Sequence, residues 1–368
     1  MLGLYIHIPF CKAICTYCDF PKEIATKEKQ NAYLDALMKE LTYYQPHLQT
    51  IDTIYIGGGT PTALEDDQLI NLLSSIAITI NLDRIKEYTI EANPNDITLN
   101  NVKILKNYGI NRVSLGVQTF NQKILSSLNR KHSNKDVYQA IDLLHSVGIN
   151  NISIDLIFNL PNQRLSDVYS DLEEALKLKI KHLSYYSLIL EEHTKLYYDV
   201  LNQAVTLNGE DIEADMYEAI LDVLSGSAFK QYEISNFAKE SYSSKHNLIY
   251  WHNHDYIGIG AGSHGKYHQK RYYNVRSVKY YIEQVDRLNH GKAEEYPYEA
   301  LRDTFLMGLR LTKGVNLNGI NKAFNIDVLK TYPKLRYYIN EGYLTLKNNY
   351  LRFTRKGLLL GNEIFAIF

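Results

Sequence analysis

Six short runs rich in β-branched and aromatic residues recur along the first half of the chain: Leu4–Ile8, Thr53–Ile56, Glu87–Ile90, Arg112–Val117, Ile152–Ile157 and His182–Ser187. Helical patterns lie between them. After the first run, Tyr33, Leu34, Leu37, Met38, Leu41 and Tyr44 recur at i, i+3 and i+4 spacing, and Leu165, Val168, Tyr169, Leu172 and Leu176 repeat that pattern after the fifth. Apolar residues at this spacing line one face of a helix. Regular alternation of strand and helix confines a chain to right-handed βαβ units and a parallel sheet, because a crossover helix packs back onto the sheet in one hand only. Six units fit a doubly wound sheet or an incomplete barrel, and periodicity does not choose between them.

The unusual residues favour a barrel. The cysteines follow the first strand, and Gly57-Gly58-Gly59-Thr60-Pro61-Thr62 follows the second. Glu91 ends the third, Gln118 ends the fourth, Asp155 sits in the fifth, and Tyr185 and Tyr186 lie in the sixth. Polar groups thus gather at the carboxyl ends of most strands, where α/β barrels keep their sites. A doubly wound sheet would concentrate them at one switch point. The expected fold is an α/β, partial (β/α)6 TIM-like barrel over residues 1–230. A connecting segment follows over 231–297, then a small α+β, winged-helix-like C-terminal module over 298–368. That module is read from helices over Glu299–Leu311, Leu317–Ala323 and Asp327–Ile339, followed by a hairpin across Lys347-Asn348-Asn349.

Forty Lys plus Arg against 41 Asp plus Glu leave a net charge of −1, which argues against a general polyanion binder. No apolar run approaches the roughly 18 residues of a membrane span. The opening Met1-Leu2-Gly3-Leu4-Tyr5-Ile6 lacks the basic flank of a signal peptide. The only cysteines are Cys11, Cys15 and Cys18. An odd, tightly spaced set with no partners elsewhere does not make a disulfide framework, so the expected setting is a reducing cytoplasm.

The cysteine spacing is Cys-x3-Cys-x2-Cys. Zinc takes four ligands, usually as two separated pairs; here it would need a fourth such as His7. Three packed thiols with no metal are a further reading. Three thiolates on one tight loop can also hold three irons of a [4Fe–4S] cluster, leaving the fourth open to a small molecule. The string Tyr5-Ile6-His7-Ile8-Pro9-Phe10-Cys11-Lys12-Ala13-Ile14-Cys15-Thr16-Tyr17-Cys18-Asp19-Phe20 resembles the opening of the radical S-adenosylmethionine proteins. It is most similar to the group of oxygen-independent coproporphyrinogen III dehydrogenases and their haem-chaperone relatives. The resemblance runs through most of the chain. It implies a [4Fe–4S] cluster on Cys11, Cys15 and Cys18, whose open iron chelates S-adenosylmethionine.

The same resemblance assigns the surroundings of that ligand. Gly58, Gly59 and Thr60 would contact its methionine part, since backbone N–H groups without side chains can approach closely. Glu91, Gln118 and Arg130 match ligand-contacting positions, and Tyr5 and Tyr17 match aromatic positions beside the cluster. Asp155 is an acid within an apolar strand; burying it unpartnered would cost on the order of several kcal/mol, so it needs a partner, in the site or in a core ion pair.

Two features separate the branches of this group. The dehydrogenases carry a further cysteine two residues after the third, where this chain has Phe20, and they have an N-terminal extension before the first barrel strand. The haem-chaperone branch shows Cys-Asp-Phe and a downstream His-Asn-x-x-Tyr-Trp, present here as Cys18-Asp19-Phe20 and His246-Asn247-Leu248-Ile249-Tyr250-Trp251. Haem iron accepts His or Tyr, and a flat macrocycle packs on aromatic rings, so His246, Tyr250 and Trp251 are candidates for haem contact. His252, His254, His264 and His268 compete for the ligand role, and a loop that merely packs beneath the barrel mouth is the structural alternative. The resemblance therefore implies a haem chaperone passing haem to acceptors such as respiratory cytochromes or oxidases. Oxygen-independent coproporphyrinogen III dehydrogenation or another radical conversion is the rival. Ile257–Gly265 contains Gly-x-Gly-x-Gly, but no helix pattern follows it, so a backbone wall is expected rather than a dinucleotide site. The C-terminal module holds 11 Lys/Arg against five Asp/Glu. The charges are scattered, so a nucleic-acid surface is not expected; peripheral membrane contact and a homodimer are the other associations considered.

Overall fold

The computed structural model describes all 368 residues. Strands β1 (Leu2–Ile8), β2 (Thr53–Gly58), β3 (Glu87–Ala92), β4 (Arg112–Gln118), β5 (Asn151–Phe158) and β6 (His182–Ser187) lie side by side in sequence order, every pair parallel. They curve into a partial (β/α)6 TIM-like barrel with helices outside. The pleat explains the sequence pattern, because successive side chains point to opposite faces. Leu4, Ile6, Ile8, Ile54, Ile56, Val113, Leu115, Ile152, Ile154 and Leu183 alternate onto the helix-facing side and are fully buried. Tyr5 and His7, Tyr55 and Gly57, Glu87 and Glu91, Arg112 and Ser114, Ser153 and Asp155, and His182 and Ser184 occupy the opposite face. Barrel interiors are usually filled by layers of branched aliphatic residues; this one is lined by polar groups.

Residues 231–297, expected as a connecting segment, instead extend the same sheet at both ends. On one side β6 pairs with the antiparallel strands β7 (Lys230–Glu233) and β8 (Asn236–Ala238). On the other, β9 (Asp255–Ile259) runs parallel to β1 and leads into β10 (His264–Tyr267), β11 (Lys270–Asn274) and β12 (Lys292–Pro297). The strand order is β12-β11-β10-β9-β1-β2-β3-β4-β5-β6-β8-β7. The strands are too short and too mixed in direction to show a βα periodicity, so the strand–helix alternation of the sequence does not continue past residue 230. The barrel does not close by hydrogen bonds; helix Lys245–Trp251 packs across the amino ends of β1, β2 and β9 instead.

The C-terminal module has its own core of Phe305, Leu309, Val315, Leu317, Ile320, Val328, Leu335, Leu344, Leu351 and Ile364. Helices Ala300–Gly308 and Leu317–Phe324 form as the pattern predicts, whereas the helix expected over Asp327–Ile339 splits into Val328–Thr331 and Lys334–Asn340 around Pro333. Proline disfavours helical geometry in the residue before it and has no N–H to continue the ladder. A three-stranded wing, β13 (Val315–Asn316), β14 (Leu344–Lys347) and β15 (Tyr350–Phe353), completes the winged-helix-like shape. Asn348 and Asn349 turn the hairpin at φ 53° and 65°, left-handed values that asparagine tolerates and that match strand twist. Several of the module's cations are spent on packing: Arg355 pairs with Glu218 and Asp222 of the barrel, and Lys356 lies 3.9 Å over the Tyr343 ring. No helix is long and apolar enough to cross a membrane.

Candidate cluster and ligand site

The cysteines occupy the loop between β1 and helix Lys27–Leu48. Backbone bonds hold that loop from both sides. Cys11 N–H donates to Glu23 O at 3.1 Å and Thr16 N–H to Leu128 O at 3.2 Å, while Thr16 O accepts from Leu196 N–H at 2.8 Å. All three thiols are unbridged and partly exposed. Burial first, then Cys18 and Cys15, push the Cys11 thiol up to about 11, against the Thr60 hydroxyl and Arg130. Burial also pushes Cys18 up. Groups held this way resist becoming thiolates on their own and lose their protons to solvent when they bind a metal cation. As folded, no three His, Cys, Asp or Glu side chains stand as a closed metal site. His7 is already engaged: Nδ1 meets the Tyr5 hydroxyl at 3.0 Å and Nε2 meets Pro21 O at 2.9 Å. Burial lowers its pKa to about 4, so the ring is neutral.

The Gly57–Thr62 segment is laid against this loop. Gly59 N–H donates to Ile8 O at 2.9 Å and Thr60 N–H to Phe10 O at 2.8 Å. A Cβ on Gly59 would stand 2.7 Å from Phe10 O and 3.0 Å from Cys11 Sγ. Gly58 has φ 113°, and a Cβ there would fall 2.4 Å from the His7 ring. Only glycine meets both demands. Thr60 Oγ1 lies 3.8 Å from Cys11 Sγ and accepts from Asn93 Nδ2 at 3.0 Å.

Glu91 receives the Tyr55 hydroxyl at 2.7 Å and Gly58 N–H at 3.0 Å. Burial, with Asp155 adding to it, raises its pKa to about 7 against those two bonds and Arg112. Asp155 takes bonds from Ser114 Oγ at 3.1 and 3.0 Å, and burial raises its pKa despite Ser184 and Arg112. These carboxylates have neutral donors and no ion pair. Arg130 Nη1 reaches Cys15 Sγ at 3.5 Å and Nη2 donates to Gly116 O, while its buried Nε has no partner. Gln118, at φ 69°, ends β4 beside it: a Cβ on Gly116 would meet both Gln118 Nε2 and Arg130 Nη2. Tyr17 packs on the cluster of Ile124, Leu128, Ile157 and Leu160. The loop, Tyr5, Tyr17, Gly58, Gly59, Thr60, Glu91, Gln118, Arg130 and Asp155 therefore all lie at or just inside one end of the barrel.

His246, Tyr250 and Trp251 do not. They form the helix at the opposite end, where Ser244 Oγ, Lys245 N–H and His246 N–H all donate to the Glu87 carboxylate at 2.8–3.1 Å. His246 is 0% exposed. Its Nδ1 meets Thr53 Oγ1 at 2.7 Å and its Nε2 the Tyr250 hydroxyl at 2.8 Å. Trp251 lies 4.7 Å under the Arg310 guanidinium of the C-terminal module. The segment thus packs at the amino end of the barrel, away from the cysteine loop. As folded, His246 has no free ring nitrogen, because strand amino ends rather than carboxyl ends pack against its helix.

The sequence reading missed Tyr55, Ser114, Asn93 and Lys12, whose Nζ ties the cysteine loop to Asp96 at 2.8 Å. The register Tyr5↔Tyr55 places Tyr55 beside a residue already singled out. Strand alternation starting from Glu91 and Asp155 would have found Ser114.

The donor set fits an iron–sulfur cluster: three soft thiols on one pinned loop, a glycine backbone pressed to Cys11, a guanidinium at Cys15 and two carboxylates without cations. Fold and site together define a radical S-adenosylmethionine protein, the superfamily whose profile matches residues 5–175, with the HemN C-terminal domain matching residues 297–360. The heme chaperone HemW of Lactococcus lactis is 38% identical, covering 99% of this chain and 96% of that one, and HemW of Bacillus subtilis is 37% identical over 100% and 99%. The structure of Escherichia coli coproporphyrinogen III oxidase (HemN), a radical SAM enzyme, superposes with TM-score 0.85 at 22% identity, covering 100% of this chain and 89% of that one. Within this superfamily, the chain belongs to the HemW family.

Proposed function

We propose that this protein is a haem chaperone that binds haem and passes it to an acceptor protein, and that it carries a [4Fe–4S] cluster and exchangeable S-adenosylmethionine. The observation that carries the reading is full-length likeness to heme chaperones, 38% over 99% of the chain. Phe20 in place of a further cysteine, and the His246–Trp251 string, support it over porphyrinogen oxidation. Cys11, Cys15 and Cys18 would hold three irons. When bound, the cluster supplies the electron that can cleave the C–S bond of S-adenosylmethionine. The chain's own groups then bind and orient that ligand: Gly58, Gly59 and Thr60 along its methionine part, Glu91 toward its amino group, and Arg130 and Gln118 as donors to its polar groups. A cation beside Glu91 favours the ionised carboxylate, so ligand uptake releases a proton near neutral pH. The acceptor is taken to be a respiratory cytochrome or oxidase, the setting cytoplasmic, with peripheral membrane contact or a homodimer bringing donor and acceptor together; nucleic acid has no part. Three units are proposed: barrel 1–230, sheet extension 231–297 and C-terminal module 298–368.

One anaerobic experiment tests this reading. Reconstituted protein is given S-adenosylmethionine and a reductant, with haem and coproporphyrinogen III supplied separately. Stoichiometric haem binding without protoporphyrinogen formation is expected. Turnover of coproporphyrinogen III, or no haem binding, overturns it.

A further inference from the structure

Of the five histidines in residues 241–275, the structure places one at the cluster end of the sheet. β9 runs parallel to β1, so its carboxyl end lies beside the start of the cysteine loop. The chain turns there through Gly260–Ser263 and β10 begins at His264, whereas His252 and His254 precede β9 and His268 lies in the β10–β11 turn, all at the far end. His246 is buried there with both nitrogens used. His264 is exposed, and neither ring nitrogen has a hydrogen-bond partner. Its ring lies 5.8 Å from that of Tyr273, its cross-strand partner. Burial on its inner side, followed by Arg276 and Arg271, lowers its pKa, which keeps the imidazole neutral and able to ligate.

The surroundings suit a flat apolar anion. Phe20, next to Cys18-Asp19, is 63% exposed and is the one exposed phenylalanine of the chain. Its neighbour Pro21 abuts Gly262, where a Cβ would meet Pro21 Cγ at 2.3 Å and Arg276 Cγ at 3.6 Å. Arg276 Nη2 donates to Asp19 O at 3.0 Å and lies 3.7 Å from the Asp19 carboxylate, an exposed pair, with 63% of the Arg276 side chain open to solvent. An aromatic face, a free imidazole and a solvent-facing cation thus share one rim.

We propose that haem docks on this rim, with His264 as its axial ligand, Phe20 and Tyr273 against the macrocycle and Arg276 toward a propionate. This rests on the haem-chaperone reading and names its binding site. The test is anaerobic haem titration of the cluster-reconstituted full chain, read in the Soret band. His264→Ala is expected to weaken binding at least tenfold and to lose the imidazole-ligated spectrum, which free imidazole restores; iron and sulfide content stay unchanged. Phe20→Ala is expected to weaken binding severalfold. Arg276→Gln is expected to do so for haem but not for haem dimethyl ester, whose propionates are uncharged. Wild-type affinity and spectrum in His264→Ala would overturn the site while leaving the chaperone reading intact. Failure of the wild-type chain to bind haem would overturn both.

Discussion

At the carboxyl end of the barrel strands, Cys11, Cys15, Cys18 and Arg130 are partly open and short of partners, and Glu91 has neutral donors but no ion pair. At the amino end, Glu87, His182 and His246 have every acceptor and ring nitrogen engaged. Glu87 accepts three bonds from Ser244, Lys245 and His246, and His182 is held by Ser153 Oγ and the Tyr232 hydroxyl at 2.8 Å each. The same strands supply both sets. The difference lies in what faces them: a loop and glycine turn at one end, and the capped helix Lys245–Trp251 at the other. Buried polar groups whose bonds are satisfied specify structure, and those left short of partners are available for a ligand. A His-Asn-x-x-Tyr-Trp string is therefore not by itself a site. Here it seals one end of the barrel and, through Trp251 and Arg310, fastens the C-terminal module.

The sharpest way to break this contrast is to remove each end separately. Cys15→Ser should eliminate nearly all cluster iron and sulfide while leaving the melting temperature of the metal-free protein almost unchanged. Glu87→Ala should do the reverse, destabilising the fold by about 2–4 kcal/mol because three buried donors lose their acceptor, with iron content per folded molecule retained. Denaturant melts and iron and sulfide assays read both outcomes. Loss of cluster in Glu87→Ala at full folding would show that the two ends are coupled.

Glu91→Gln should weaken S-adenosylmethionine binding roughly tenfold, the equivalent of about 1.4 kcal/mol, with a smaller effect on stability. It should also abolish the proton released on binding near pH 7, which calorimetry in buffers of different ionisation heat would show. Arg310→Gln should cost about 0.5–2 kcal/mol, the range for a desolvated cation–π contact. The loss should appear in the docking of the C-terminal module rather than in the cluster.

Buried titratable groups pull stability in two directions with pH. His246 is held neutral, its pKa lowered by burial and Arg112 to about 3, and His132 is lowered by burial and Arg130 to about 4. Unfolded histidines take up protons from about pH 6.5 downward, so the folded state loses stability as pH falls from there toward 4. Glu91 and Asp171, each raised by burial to about 7, work in the opposite sense. The folded state keeps protons the unfolded chain has released, so their contribution declines as pH rises from about 4 to 7. His246→Asn should flatten the acid limb of a melting-temperature profile between pH 6.5 and 4, and Glu91→Gln should flatten the limb approaching pH 7.

Much of this was legible from the chain. Six strand runs with helices between them specify parallel βα units, and three cysteines within eight residues at the end of the first strand specify where soft-metal chemistry belongs. Both are local properties, fixed by side-chain period and spacing. The sheet extension was not legible, because β7, β8 and β10 are three- or four-residue strands whose pairing partners are distant in sequence. The end of the barrel occupied by each histidine was not legible either. His246 and His264 lie 18 residues apart and look equally able to ligate in one dimension. Strand direction alone separates them: β9 carries the chain from the sealed amino end to the open carboxyl end, and parallel pairing with β1 sets that direction through contacts some 250 residues apart.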